Sequence, residues 1–182
     1  MTPYLRWRGV AHSAGAAALV VALVGCTGCA ARPRTVVEAF PPGSVAAPWT
    51  LDGAVWSGTL PEAAPGLGPD AAAWEVFRPA RVWLAKYRHE ERTDRVLTVR
   101  CFAVASPDDA REAVARFRPP GATPVALGDE GYWTAAGVLF RWGRLVIEVF
   151  GPEASWSNEV QASLLAAYLI KRMPPGVPDD PR

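Results

Sequence analysis

The chain has 182 residues, 50% hydrophobic and 20% charged, with 19 Lys+Arg against 18 Asp+Glu and a formal net charge of +1. That balance suits a globular protein of one domain or two small ones, and it excludes a disordered chain and the basic footprint of a nucleic-acid binder. Three cysteines without zinc-site spacing and two histidines argue against a disulfide scaffold or a metal centre, so no cofactor is expected.

The N-terminus carries Arg6 and Arg8 and then an uncharged Ala/Val/Leu-rich run over 13–25. Crossing a hydrocarbon core as a helix takes roughly 20 residues, so the run fits a signal-peptide core better than a transmembrane helix. It ends in Leu23-Val24-Gly25-Cys26, which resembles the lipobox of bacterial lipoproteins. The resemblance implies a signal peptide over 1–25, cleavage before Cys26, and diacylglycerol on the Cys26 thiol with an acylated amine, palmitate being a typical chain. Cys29 is the poorer acceptor, because Cys26 would occupy the apolar position three residues before it. Two or three acyl chains, at about 0.8 kcal/mol per buried methylene, anchor a protein stably. The expected location is therefore the cell envelope, with the lipid bilayer as a partner. Thr27 rather than Asp follows the cysteine, which resembles the default for outer-membrane sorting, facing the periplasm. Cleavage removes Arg6 and Arg8 and turns the formal +1 into −1.

Residues 26–48 contain Arg32-Pro33-Arg34 and Pro41-Pro42-Gly43 and show no sustained periodicity. They read as a lipidated tether reaching on the order of 70 Å at ~3.3 Å per residue. A globular domain is expected over 49–173 and a polar, Pro-rich tail over 174–182. Asp52-Gly53 between short apolar runs predicts a small hairpin, followed by a Pro/Gly-rich stretch over 60–70. Residues 71–87 read as two short helical pieces meeting at Pro79, and 88–95 as a mixed-charge connection. In the strand expected over 96–105, Leu97, Val99, Cys101 and Ala103 share one face. Cys101 is thus read as a buried thiol, with a Cys29–Cys101 bridge as the alternative. Ser106, Pro107 and Asp109 mark a helix start, with Ala110, Ala113, Val114 and Phe117 on one stripe, and Pro119-Pro120-Gly121 ends that helix.

A second strand is expected near 123–127, and Gly128-Asp129-Glu130-Gly131 then turns into Tyr132-Trp133. Residues 138–150 predict a hairpin with a four-residue loop over 141–144, pairing Phe140 with Leu145. Val138, Phe140, Leu145, Ile147 and Val149 then share one face. Ser157 or Asn158 caps a last helix to Met173, with Val160, Leu164, Leu165, Tyr168 and Leu169 as its buried stripe. The class is α+β: a single antiparallel sheet with helices packed on one face.

The strand before Ser106-Pro107-Asp108-Asp109-Ala110, the Gly128-to-Tyr132 turn and the Leu139-Phe140-Arg141-Trp142-Gly143 hairpin resemble an uncharacterised family of secreted bacterial lipoprotein domains over 96–150. Upstream, where that family shows Asn-Gly, this chain has Arg78-Pro79. The resemblance implies fold and location and assigns no activity.

Candidate chemistry is sparse. His89-Glu90-Glu91 lacks the second histidine a zinc protease needs four residues on, since Thr93 stands there. It reads as a solvated charged turn. Asp129 and Glu130 are turn residues or ligand contacts with Tyr132 as neighbour; adjacent carboxylates do not converge on one bond. No nucleophile elbow or phosphate-cradling loop appears. Trp142, placed at a hairpin tip between Arg141 and Arg144, makes these three an interaction patch for an envelope protein or anionic headgroups, unless Trp142 folds back onto its own sheet. The expected function is a membrane-anchored envelope lipoprotein acting as a binding or accessory module. The alternatives are a small hydrolase-like envelope enzyme using carboxylates, or a spacer tied to the cell wall.

Overall fold

The computed structural model describes residues 35–152 and 156–173. The lipobox, Cys29 and the 174–182 tail lie outside the described residues, as do the side chains of Ser157 and Asn158. Two single-turn helices, α1 (Val36–Ala39) and α2 (Gly43–Ala46), precede two short strands, β1 (Trp49–Leu51) and β2 (Trp56–Gly58). Then come α3 (Leu60–Leu67) and α4 (Ala71–Trp74), with 3-10 turns at Gly68–Asp70 and Glu75–Phe77. Strands β3 (Arg81–His89) and β4 (Val96–Ala103) lead to α5 (Pro107–Phe117). The chain continues through β5 (Glu130–Thr134), β6 (Gly137–Trp142) and β7 (Leu145–Phe150) into α6 (Trp156–Arg172).

The seven strands form one antiparallel sheet in the order β1-β3-β4-β7-β6-β5, with β2 also on β3. This is the α+β architecture expected from the sequence. The helices, however, cover both faces rather than one. Leu97, Val99, Cys101 and Ala103 join Val138, Phe140, Leu145, Ile147 and Val149 in a core that also holds Leu165 and Leu169 of α6. Successive strand residues point to opposite faces, and the intervening Val82, Phe102, Leu139 and Val146 build a second core with Leu67, Trp74, Ala110 and Val114. The sequence carries this in its unbroken apolar triplets, Val138-Leu139-Phe140 and Leu145-Val146-Ile147, which a sheet wet on one side would not tolerate.

α5 begins as expected. Ser106 is its N-cap, its Oγ accepting from the Asp109 backbone N–H at 3.1 Å and donating to the Asp109 carboxylate at 2.7 Å. Other expectations are corrected. The chain enters the domain at Val36, well inside the segment read as tether, because Val36, Ala39, Phe40 and Ala46 bury against the sheet. Four-residue helices are too short to print a 3.6 period, so packing defines them rather than pattern. Asp52-Gly53 makes no hairpin: β1 and β2 both pair with the long β3, and residues 52–55 break one composite edge. The 60–70 stretch is helical, started by a reciprocal Thr59–Glu62 capping box.

Beyond Pro79 the expected second helical piece is β3, whose Val82 faces one core and Trp83, Ala85 and Tyr87 the other. Apolar residues on both faces hid its alternation. Residues 123–127 form only an isolated bridge, Pro124 to Tyr132. The β6–β7 hairpin pairs Trp142 with Leu145, so its loop is Gly143-Arg144. Gly143 has φ +57° while Arg144 is not left-handed, the Gly-first pattern of a II′ turn, whose twist suits the flanking strands. The shift of two residues from the expected register leaves every side chain on its expected face. In α6, Leu165 and Leu169 are buried with Ala162, Ala166 and Met173, but Leu164 is exposed. Alanines at 162 and 166 let the helix approach the sheet, and the buried stripe turns toward them.

Candidate functional site

The turn before β5 and the β6–β7 hairpin are joined by side chains. Gly128 has φ +62°, and a Cβ there would lie 2.1 Å from the Arg141 carbonyl oxygen, so glycine is required where this turn presses on β6. The Asp129 backbone N–H donates to that same oxygen at 2.9 Å. The Asp129 carboxylate then accepts from the Gly143 N–H at 2.7 Å and from Arg141 Nη1 at 3.2 Å.

Glu130 lies opposite Arg141 in the β5–β6 pairing. Its Oε2 accepts from Arg141 Nε at 3.3 Å and its Oε1 from the Tyr132 hydroxyl at 3.0 Å. Arg118, just past α5, donates from Nη1 to the Tyr132 oxygen at 2.9 Å, and its guanidinium sits 4.7 Å from the ring centroid. The result is one chain, Arg118–Tyr132–Glu130–Arg141–Asp129, with two cations and two carboxylates and no net charge. The three residues singled out as ligand contacts, Asp129, Glu130 and Tyr132, are thus brought together, and Arg141 is added to them.

The expected Arg141–Trp142–Arg144 patch does not converge. Arg141 points to the α5 side and is only 13% exposed. Trp142, an adjacent strand residue, points to the opposite face and packs half-buried against the α6-side core. Arg144 occupies the second turn position. Trp142 lies in β6 rather than at a tip because the loop is two residues long, not four. Since Asp129 fastens this hairpin, Asp129→Ala is expected to cost about 1–2 kcal/mol, leaving the Gly143 N–H and one arm of Arg141 unpaired. Urea midpoints would register that loss, and faster exchange of the Gly143 amide would locate it.

His89 ends β3. Its Nδ1 accepts from the Glu91 and Arg92 N–H groups, both at 3.2 Å, and its ring meets Trp49 edge-on at 5.2 Å. It shapes the charged turn. Among the described residues no group of three His, Cys, Asp or Glu could hold a metal ion. Cys101 is a free, fully buried thiol whose pKa burial pushes up.

The residue that sequence reasoning missed is Glu148. It lies on β7 opposite Arg100 of β4, in the cross-strand row Leu84–Arg100–Glu148–Leu139–Tyr132. Arg100 Nη1 is 2.8 Å from Asp70 and 3.6 Å from Glu148 Oε2, and its guanidinium lies 4.7 Å from the Phe150 ring centroid. Glu148 Oε2 and Arg100 Nε are buried without a hydrogen-bond partner. Burial pushes the Glu148 carboxyl up to about 7 and Asp70 adds to this, against the downward pull of Arg100. The available signal was a lone acid within the apolar run Leu145–Phe150. A groove of about 600 Å³ lies beside the β5 edge, lined by residues 119–123 and 133–135 with Val160. Among the described residues its lining carries no titratable side chain.

No family model, no curated protein and no solved structure matches this chain.

Proposed function

We propose that this protein is a bacterial envelope lipoprotein, fastened by acylated Cys26 to the periplasmic face of the outer membrane, whose α+β domain is a binding or accessory module for an envelope partner. The anchor rests on Leu23-Val24-Gly25-Cys26 behind a charged and then apolar leader. The module reading is carried by one observation: Asp129 and Glu130, the carboxylates an enzyme reading would use, are both held by Arg141 and spent on fastening a turn to a hairpin. Acid–base catalysis needs a group that gains and loses a proton on the reacting bond. Groups already holding cationic donors suit structure instead.

Cys26→Ser tests the anchor. Wild type is expected in the membrane fraction, released only by detergent, with an intact mass raised by two or three acyl chains. The variant is expected to be soluble in the periplasm. An unmodified thiol at position 26, or Met1 retained, would refute it.

A carboxylate enzyme remains the second reading because Glu148 is a buried acid held near neutrality. It requires Glu148→Gln to abolish function in the fully folded, anchored protein. The module reading expects that variant to retain the envelope proteins that co-purify with wild type.

A further inference from the structure

We infer that Arg100 is a shared cation that trades one carboxylate for another with pH. While the Glu148 carboxyl holds its proton, Arg100 latches the turn between α3 and α4 to the sheet through Asp70. When that carboxyl ionises, Arg100 moves onto it and the turn is released. This goes beyond the module reading and depends on neither the anchor nor the partner.

The geometry is that of one cation between two acids. Arg100 of β4 and Glu148 of β7 stand opposite each other in the sheet. Arg100 Nη1 lies 2.8 Å from Asp70 Oδ2, a charge-assisted hydrogen bond, and 3.6 Å from Glu148 Oε2, too far for one. Asp70 closes the 3-10 turn Gly68–Asp70 and precedes α4, yet its side chain makes no capping bond there. It is committed to Arg100 instead. Glu148 Oε2 and Arg100 Nε are shut from water with no hydrogen-bond partner. An acid oxygen so placed suits the neutral form, and burial pushes the carboxyl up to about 7.

Among the described residues, Arg100 is the donor placed to take the ionised form. Opposite Glu148 on β6 is Leu139, with Gly137 and Arg141 to either side. Arg141 is already held by Asp129 and Glu130, and Tyr132, beyond Leu139, is bound between Glu130 and Arg118. On β4, Thr98 and Phe102 flank Arg100, and on β3 stand Leu84 and the exposed Lys86. The helices add Leu67, Trp74, Ala110 and Val114, none of them charged.

Solvent decides which acid Arg100 takes once both are ionised. Asp70 is 58% exposed and can exchange a guanidinium for water, whereas Glu148 is 20% exposed and its Oε2 is out of water's reach. A movement of about 0.7 Å takes the 3.6 Å separation to ordinary hydrogen-bond length. The Phe150 ring, 4.7 Å from the guanidinium, supports either position. Leu67 and Trp74 stay in the core on either side of the turn, so the stretch over 68–73 opens and the domain does not.

Amide hydrogen exchange of the full chain at about pH 6 and about pH 8, corrected for base catalysis, tests the switch. The Ala71 N–H donates to the Gly68 carbonyl across the turn and reports its closure. Its protection is expected to fall about tenfold between the two conditions and to be insensitive to low urea, the mark of local opening. Glu148→Gln should hold Ala71 at the higher protection in both conditions, and Asp70→Asn at the lower. The same step in Glu148→Gln, no step in wild type, or urea-sensitive exchange that tracks the β4 amides would each overturn the switch.

Discussion

Trp74→Ala is expected to cost about 4 kcal/mol of folding stability, the middle of the range for emptying a buried tryptophan site. Trp74 is 1% exposed. Its ring stacks on Phe102 of β4 at 3.6 Å and 10°, and on Phe117 at the end of α5 at 4.4 Å and 27°. Phe77 meets it edge-on at 6.0 Å. One side chain thus fastens α4, the last turn of α5 and the middle of the sheet. Removing it loses both stacked pairs, each worth about 0.5–1.5 kcal/mol beyond buried area, and leaves a void between elements that cannot close independently. A fall in the thermal midpoint on the order of 15 °C should follow for a domain of this size. Trp56→Ala, at a 38% exposed position, is the control and should cost under about 1 kcal/mol. If the two variants unfold at similar denaturant concentrations, the three-ring stack does not organise this face.

Whether an element was legible depended on how its information is written in the chain. β4 and α5 were readable because period and cap agree: Leu97, Val99, Cys101 and Ala103 alternate cleanly, and Ser106-Pro107 has one favourable local conformation. β3 was not, because Val82 and Trp83 serve two different cores and a strand apolar on both faces loses its period. The hairpin shows a sharper limit. Moving the register by two residues leaves the faces of Val138, Phe140, Leu145 and Ile147 unchanged, so hydrophobic pattern cannot separate a four-residue loop from a two-residue one. Only turn chemistry can, and Gly143 followed by Arg144 carried it. Trp142 was misplaced for that reason alone.

The candidate site divides in the same way. Asp129 and Glu130 stand out locally between Gly128 and Gly131, with Tyr132 just beyond. Their union with Arg141 depends on strand pairing, and with Arg118 on where α5 ends, neither of which is local. In α6 the apolar residues extend around most of the helix, so the buried side was decided by the alanines that permit close approach.

Glu148→Gln is expected to stabilise the protein above neutral pH and to leave it unchanged in acid. The carboxyl titrates near 7 in the folded protein against an ordinary 4.5, chiefly because burial disfavours its charged form. A group whose folded pKa is raised contributes stability that is fully present below its unfolded value and is lost as pH rises through the folded one. Here that window runs from about 4.5 to about 7. With the side chain 20% exposed, the loss approaches about 3 kcal/mol once the acid is ionised. Glutamine keeps the shape and stays neutral, and Arg100 retains Asp70 at 2.8 Å. The variant should therefore exceed wild type by about 2–3 kcal/mol near pH 8 and match it near pH 4, read from urea midpoints. Asp70→Asn separates the causes: its negative charge raises the Glu148 pKa, so removing it should move the wild-type step to lower pH without abolishing it. Parallel stability curves for wild type and Glu148→Gln from acid to alkaline pH would mean that Glu148 is ionised throughout and that Arg100 compensates its burial in full.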